Sequence, residues 1–228
     1  MKYSILDKGF IDVMEIFGDE LTIVNAARVS FGKRKDVFDD GDEKLIKYLI
    51  QHKHYSPFRH VFLRFHIKAP EFVMRQSYKH CVGIEVTSCH PNQLHGFNEI
   101  SGRYIVSDEY YTPTEWRKQS TNSKQGSDGS VDNTDACTKI FVNTMDSLMK
   151  NYHQLVDECG VAKEQARIIL PLNIYTETIW TMSLQALFNF VTLRKEEHAQ
   201  YEIREYAKVM DTVLKERFPI VYKYWSDL

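Results

Sequence analysis

Between residues 136 and 158 the apolar side chains Phe141, Met145, Leu148, Tyr152 and Leu155 recur at three- and four-residue steps. That is the period of a helix with one buried face, and such a face needs a second layer to cover it. Two segments of a different period can supply that layer. Residues 60–68 alternate branched or aromatic side chains with polar ones, and 174–182 are rich in Thr, Ile, Tyr and Trp; both patterns suit strands. Further helices are expected at 19–27, with Asp19 as cap and Leu21, Val24 and Ala27 on one side, and at 42–52, with Leu45, Ile46, Tyr48 and Leu49 inward. Pro70 suits the first turn of a helix running to about Cys81. Gly160 ends the 136–158 helix, and a short helix from Lys163 to Ile169 stops before Pro171. Ser183 can cap a helix that turns Leu184, Leu187, Phe188 and Val191 inward, and a last helix runs from about Ala199 to Arg217. Helices and strands are mixed without a regular β-α-β alternation, which argues for an α/β chain of the α+β kind.

At 228 residues the chain is expected to form one domain spanning 1–228. Residues 119–135 are almost all polar, cannot bury a face, and are expected to form a mobile surface insertion. A net charge of −2 gives no global attraction to nucleic acid or an anionic membrane, so neither is expected as a partner. No apolar run is long enough to span a bilayer, and Met1 to Lys8 lack the apolar core of a signal peptide. The four cysteines, Cys81, Cys89, Cys137 and Cys159, show no disulfide-framework spacing, so a reducing, cytoplasmic location is expected. The nine histidines invite a metal reading, but neither 52–66 nor 81–95 has the compact ligand spacing of zinc sites, and no metal is expected. Cys89-His90 could pair a thiolate with a base; its polar, irregular surroundings suit a solvated loop cysteine instead.

The densest polar chemistry lies in Asn98-Glu99-Ile100-Ser101-Gly102-Arg103-Tyr104, downstream of Arg75-Gln76-Ser77-Tyr78-Lys79-His80. A carboxylate, a hydroxyl, a glycine and a guanidinium together suit a polar, phosphorylated ligand; the same run could be a solvated loop with helix caps. Gln185 and Asn189 share one helix face, and Arg194 and His198 would share another if the helix continues. Such residues also serve as the solvent side of an apolar helix, and Arg167 ahead of Ile168-Ile169-Leu170 could be a structural ion-pair partner. There is no glycine-rich dinucleotide fingerprint and no P-loop.

Taken together, ordered segments resemble the flavin-dependent thymidylate synthases. Residues 5–10 and 26–31 resemble the family's N-terminal part, and His52 to Phe58 its flavin-binding segment. Residues 65–70, Arg75-Gln76 and 98–104 resemble the approach to its signature and the signature itself; 166–176 and 189–200 resemble its C-terminal half. Only about 105–140 lacks a counterpart. The family's hallmark triplet is Arg-His-Arg, where this chain has Lys79-His80-Cys81, and 84–95 is an extra stretch before the Asn-Glu-x-Ser run. Lysine brings charge without the planar fork of arginine, and Cys81 brings none. Ser183 stands where the family often has Asn, and Gln185 where it often has Arg.

The resemblance implies helices packed on an antiparallel sheet, assembled as a homotetramer with shared active sites. It implies reductive methylation of dUMP to dTMP, with 5,10-methylenetetrahydrofolate as carbon donor, tightly bound FAD and NADPH as reductant. Residue by residue, it implies dUMP contacts from Gln76, Ser77, Tyr78, Lys79, Glu99, Ile100, Ser101, Gly102, Arg103, Arg167 and Arg194. It implies FAD contacts from His54, Ser56, Lys79, His80, Cys81, Glu99, Ser183, Leu184, Gln185, Asn189 and His198, with Arg194 as the catalytic arginine. A metal-dependent nucleotide hydrolase and a non-catalytic nucleotide- or RNA-binding relative remain as alternatives.

Overall fold

The structure is a computed structural model that describes residues 1–80, 96–105, 108–121 and 126–226. Its centre is a five-stranded antiparallel sheet built from β1 (Lys2–Ile5), β2 (Gly9–Phe17), β3 (Phe62–Pro70), β7 (Tyr175–Ser183) and β4 (Gly96–Glu99), in the order β1-β2-β3-β7-β4. The pair β3 and β7 is central, in register from Phe62 opposite Ser183 to Pro70 opposite Tyr175. Alternation along both strands sorts side chains by face. Leu63, Phe65, Ile67, Thr178, Trp180 and Met182 are buried. The opposite face carries polar pairs: Arg64 with Glu15 at 2.8 Å, and His66 with Glu177 at 2.8 Å.

The buried face is covered by α6 (Leu184–Arg194) and α7 (Tyr201–Arg217), with α1 (Glu20–Arg28), α2 (Asp40–Gln51) and α8 (Pro219–Trp225) closing the same core. Trp180, fully buried, meets Phe190 of α6 edge to face at 5.5 Å and Phe97 of β4 at 6.0 Å. These contacts join the sheet edge to the helical layer through one indole. Gly9 opens β2 where a side chain has no room. A Cβ there would lie 2.0 Å from the Tyr206 hydroxyl and 2.9 Å from the carbonyls of Ile5 and Lys68.

Several sequence expectations need correction. The helix after Pro70, α3 (Glu71–Ser77), ends before Tyr78, and His80 lies beyond it; Cys81 is outside the described residues. The second helix starts at Asp40, because Asp39 caps it and accepts from the amides of Gly41 and Asp42. The segment 119–135, expected as loop, contains the end of β5 (Arg117–Gln119) and all of β6 (Ser127–Ser130), which pair as a small hairpin. Backbone pairing holds it, although nearly every side chain is exposed. The long helix α4 (Thr134–His153) begins at its Asn133 cap and passes into a π-helical turn at Gln154–Glu158. The short segment after it is α5 (Lys163–Ala166) followed by a 3₁₀ turn, Arg167–Ile169. The stretch 84–95 lies outside the described residues.

Candidate active site

The residues singled out from sequence fall into three groups around α3 and α6. The first surrounds a cavity of about 560 Å³ whose walls include Glu71, Arg75, Glu99, Gly102, Arg167 and Tyr152. Glu99 sits at the end of β4 with both oxygens engaged. Tyr78 donates to Oε2 at 2.7 Å and Thr176 to Oε1 at 2.6 Å. Burial first, and then the hydrogen bond to Glu99, push the Tyr78 hydroxyl far above its ordinary range, so it stays protonated as a donor. Glu71 is also raised, by burial first and then by the Glu99 charge. Ile100 is tied to the sheet by its amide, 3.0 Å from the Glu177 carbonyl. The chain then turns: the Ser101 carbonyl accepts from the amides of Tyr104 and Ile105, and the Ser101 hydroxyl from the Arg103 amide at 3.3 Å.

Gly102 lets the Arg167 guanidinium lie against the backbone. A Cβ would sit 3.3 Å from Arg167 Cδ and 3.6 Å from its Nη1. Arg167 is exposed at its own 3₁₀ turn, and Arg75 enters the same cavity from α3. Two guanidiniums beside a glycine-containing turn form a cradle suited to phosphate oxygens.

The second group surrounds a separate cavity of about 520 Å³ walled by Gln76, Arg117, Arg194, His198, Gln200 and Arg204, among others. Adjacent residues of α3 thus serve different cavities: Arg75 the first and Gln76 the second. Gln76 donates to Gln200 Oε1 at 2.9 Å. Arg194, at the last position of α6, donates from Nε to His80 Nε2 at 2.8 Å. The acceptor must be a neutral imidazole, with its proton on Nδ1. Burial, and then the Arg194 charge, lower the His80 pKa to about 4. Phe190 packs edge to face on the ring at 5.0 Å. The two Nη nitrogens of Arg194 make no hydrogen bond among the described residues. The acidic residues Glu197 and Glu202, which follow it in the chain, are not paired with it; Glu202 is taken by Arg117 at 2.8 Å.

The third group lies at the other end of α6. The Ser183 hydroxyl caps the helix at the Ala186 amide, Leu184 is fully buried, and Gln185 accepts from Arg59 Nε at 2.7 Å. Ser56 begins the 3₁₀ turn Ser56–His60 that carries Arg59, and His54 is exposed beside Tyr48, their rings 6.0 Å apart. Asn189 is half-buried one turn along α6 from Gln185, and Leu193, one turn further, is 55% exposed. Lys79 is exposed, and Ser77 is buried, donating back to the Val73 carbonyl at 3.4 Å.

One chain therefore brings Glu99, Ile100, Gly102 and Arg167 together, and separately Gln76, His80, Arg194 and His198, but does not merge the sets. Arg59, Glu71, Arg75, Arg117 and Gln200 belong with them and were given no ligand contact from sequence. Arg75-Gln76 carried the one available signal, a polar pair ending an apolar run. Among the described residues no cluster of three or more His, Cys, Asp or Glu could hold a metal ion, and no helix is long and apolar enough to cross a membrane.

Comparison with known proteins gives a consistent result. The family described as "Thymidylate synthase complementing protein" matches residues 12–220, and so runs through 105–140, where the sequence reading found no counterpart. The flavin-dependent thymidylate synthase of Kosmotoga olearia is 40% identical over 98% of this chain and 92% of its own length. The enzyme of the same name from Thermus thermophilus is 40% identical over 98% of this chain and 77% of its own. Among solved structures, the UMP/dUMP methylase PolB from Streptomyces cacaoi, bound with 5-Br dUMP, superposes with a TM-score of 0.82 at 26% identity. That match covers 99% of this chain and 98% of the other. The matched span, the antiparallel sheet with its helical layer and these relatives agree: this chain belongs to the thymidylate synthase complementing protein family, the flavin-dependent thymidylate synthases.

Proposed function

We propose that the protein methylates dUMP reductively to dTMP, taking the carbon from 5,10-methylenetetrahydrofolate and the reducing equivalents from NADPH through bound FAD. The observation that carries this reading is Arg194: a guanidinium held at the end of an apolar helix by a neutral histidine, lining a polar cavity, with neither Nη hydrogen-bonded among the described residues. Uracil becomes nucleophilic at C5 when negative charge on N3 and O4 is stabilised. A preoriented guanidinium does this without reorganising, and one such donor is worth on the order of 3 kcal/mol. Gln76, held by Gln200, offers its amide to the same ring. The phosphate belongs in the Gly102–Arg167–Arg75 cradle.

The residues present suit a flavin. Asn189 and the exposed Leu193 leave an amphipathic stripe on α6, between cationic Arg59 at one end and Lys79 with His80 at the other. His54, Ser56, Asn189, His80 and His198 would hold it; Ser183, Leu184 and Gln185 support the helix that presents them. The flavin, when bound and reduced, supplies the hydride. Because cradle and Arg194 cavity are separate within one chain, the reading includes a homotetramer in which neighbouring copies join them into shared active sites. The expected setting is the cytoplasm. The test is direct: purified protein should be yellow, and dUMP with methylenetetrahydrofolate should drive oxidation of the reduced flavin and formation of dTMP. Flavin-loaded protein that makes no dTMP under these conditions would refute it.

A further inference from the structure

The hairpin β5–β6 has almost no core of its own, yet it delivers one side chain inward. Arg117 donates from Nη2 to Glu202 Oε1 at 2.8 Å and from Nε to the Ser127 hydroxyl at 2.9 Å, and its guanidinium lies 4.8 Å from the Tyr201 ring centre. Glu202 is 3% exposed, and its Oε2 is buried with no hydrogen-bond partner among the described residues. Tyr111 adds one donor to Oε1, at 3.3 Å. Arg117 is therefore the cation that compensates a buried carboxylate, and it cannot swing away without stranding that charge.

So pinned, the guanidinium still lines the Arg194 cavity, and its Nη1 makes no hydrogen bond among the described residues. Among the described residues three guanidiniums wall that cavity, from Arg117, Arg194 and Arg204, against the carboxylate of Glu197 and that of Glu202 paired with Arg117. This excess of fixed positive charge is more than an uncharged uracil ring needs. It lies apart from the Gly102–Arg167 cradle that suits the nucleotide phosphate.

We propose that Arg117 is a ligand-binding residue. It holds an oxyanion, a carboxylate or a phosphate, of a co-substrate entering the Arg194 cavity, and Glu202 is the residue that positions it. The identity of the co-substrates rests on the function proposed above. A folate brings carboxylates and NADPH brings phosphates, and the arms of the test separate them.

The experiment uses the full-length, flavin-loaded protein and the variants Arg117→Gln, Arg117→Lys and the double variant Arg117→Gln/Glu202→Gln, which strands no carboxylate. Loss of one charge-assisted contact should raise the KM of one co-substrate by about tenfold or more, with kcat changed by less than about threefold and KM for dUMP unmoved. If methylenetetrahydrofolate is affected, and its polyglutamate form most, the anion is the folate tail. If NADPH is affected and NADH is not, it is the 2′-phosphate. Arg117→Lys should recover part of the loss and the double variant none of it, whereas a purely structural role, compensation of Glu202, would be relieved in the double variant. Calorimetric binding of tetrahydrofolate and NADP⁺ to the same proteins reads out Arg117 without turnover. Absence of dTMP formation by the wild type would thus sink the reaction while leaving Arg117 under test. Folded variants that bind both co-substrates as wild type does, or a loss confined to dUMP, would overturn the proposal. Should both neutral variants unfold, Arg117→Lys carries the test, since it keeps the buried pair, and wild-type affinity for both co-substrates would overturn the proposal.

Discussion

Acidification should destabilise this protein through His80, and the size of the effect follows from its surroundings. The imidazole is 6% exposed and accepts a hydrogen bond from Arg194, and its pKa falls from 6.5 to about 4. Above the unfolded value of 6.5 the ring is neutral in both states and costs nothing. As pH falls from there towards 4, the unfolded chain takes up a proton that the folded chain refuses, and stability is lost. Below about 4 both states are protonated and the loss levels off. Between about pH 7.5 and pH 5 the loss is about 2 kcal/mol, approaching about 3 kcal/mol at the plateau. Urea denaturation of the wild type and of His80→Gln, whose side-chain oxygen can still accept from Arg194 but does not titrate, isolates this contribution. The stability of the variant relative to wild type should rise by about 2 kcal/mol across that interval. Activity of the folded protein should hold over the same range and fall only as pH approaches about 4, where His80 itself protonates and can no longer accept the Arg194 hydrogen bond. A difference in stability that stays flat between about pH 7.5 and 5, or an NMR titration placing His80 near its ordinary pKa, would refute the reasoning.

Other perturbations have equally definite outcomes. Arg194→Ala should leave folding and flavin content intact while lowering dTMP formation by about 10²-fold or more, and Arg194→Lys should restore little of it; near-normal kcat at saturating dUMP would remove Arg194 from the mechanism. Gly102→Ala places a Cβ 3.3 Å from Arg167 Cδ, so dUMP binding measured by calorimetry should weaken severalfold while thermal stability holds. Trp180→Ala, in the fully buried centre of the sheet, should cost about 3–5 kcal/mol in a urea titration. Replacing all four cysteines with serine should leave turnover in place, since the two within the described residues, Cys137 and Cys159, are free and lie away from both cavities; loss of activity in folded, flavin-loaded protein would contradict this.

The long helices α2, α4 and α7 and the central strands β3 and β7 were legible because each buries one regular face. Strand β2 was not, since a bulge between Val13 and Glu15 breaks its alternation. The hairpin β5–β6 was illegible for the opposite reason: its exposed polar side chains carry no burial pattern, and its stability lies in backbone pairing that composition does not encode. Helix α8 is too short to show a period and follows α7 with only Phe218 between them. Among site residues, the motif runs around Gln76 and Glu99 were visible as dense polar stretches. The contact between His80 and Arg194 was not, because it joins side chains 114 residues apart. Arg117 was hidden in a segment that looked like solvated loop, and its meaning comes only from the buried Glu202 it meets.

Strand β7 runs into α6 with no intervening loop: Ser183 is at once the strand residue opposite Phe62 and the hydroxyl cap of the helix. The alignment of two strands is thereby carried rigidly to Arg194, some three turns away. A one-residue insertion or deletion here would rotate α6 by about 100° about its axis, swinging Arg194 away from His80 and turning Leu187 or Phe188 to solvent. Length variation should therefore be tolerated between β5 and β6, whose strand residues are themselves largely exposed, and be lethal at the junction of β7 and α6. A scan of single-residue insertions along the chain would map that boundary.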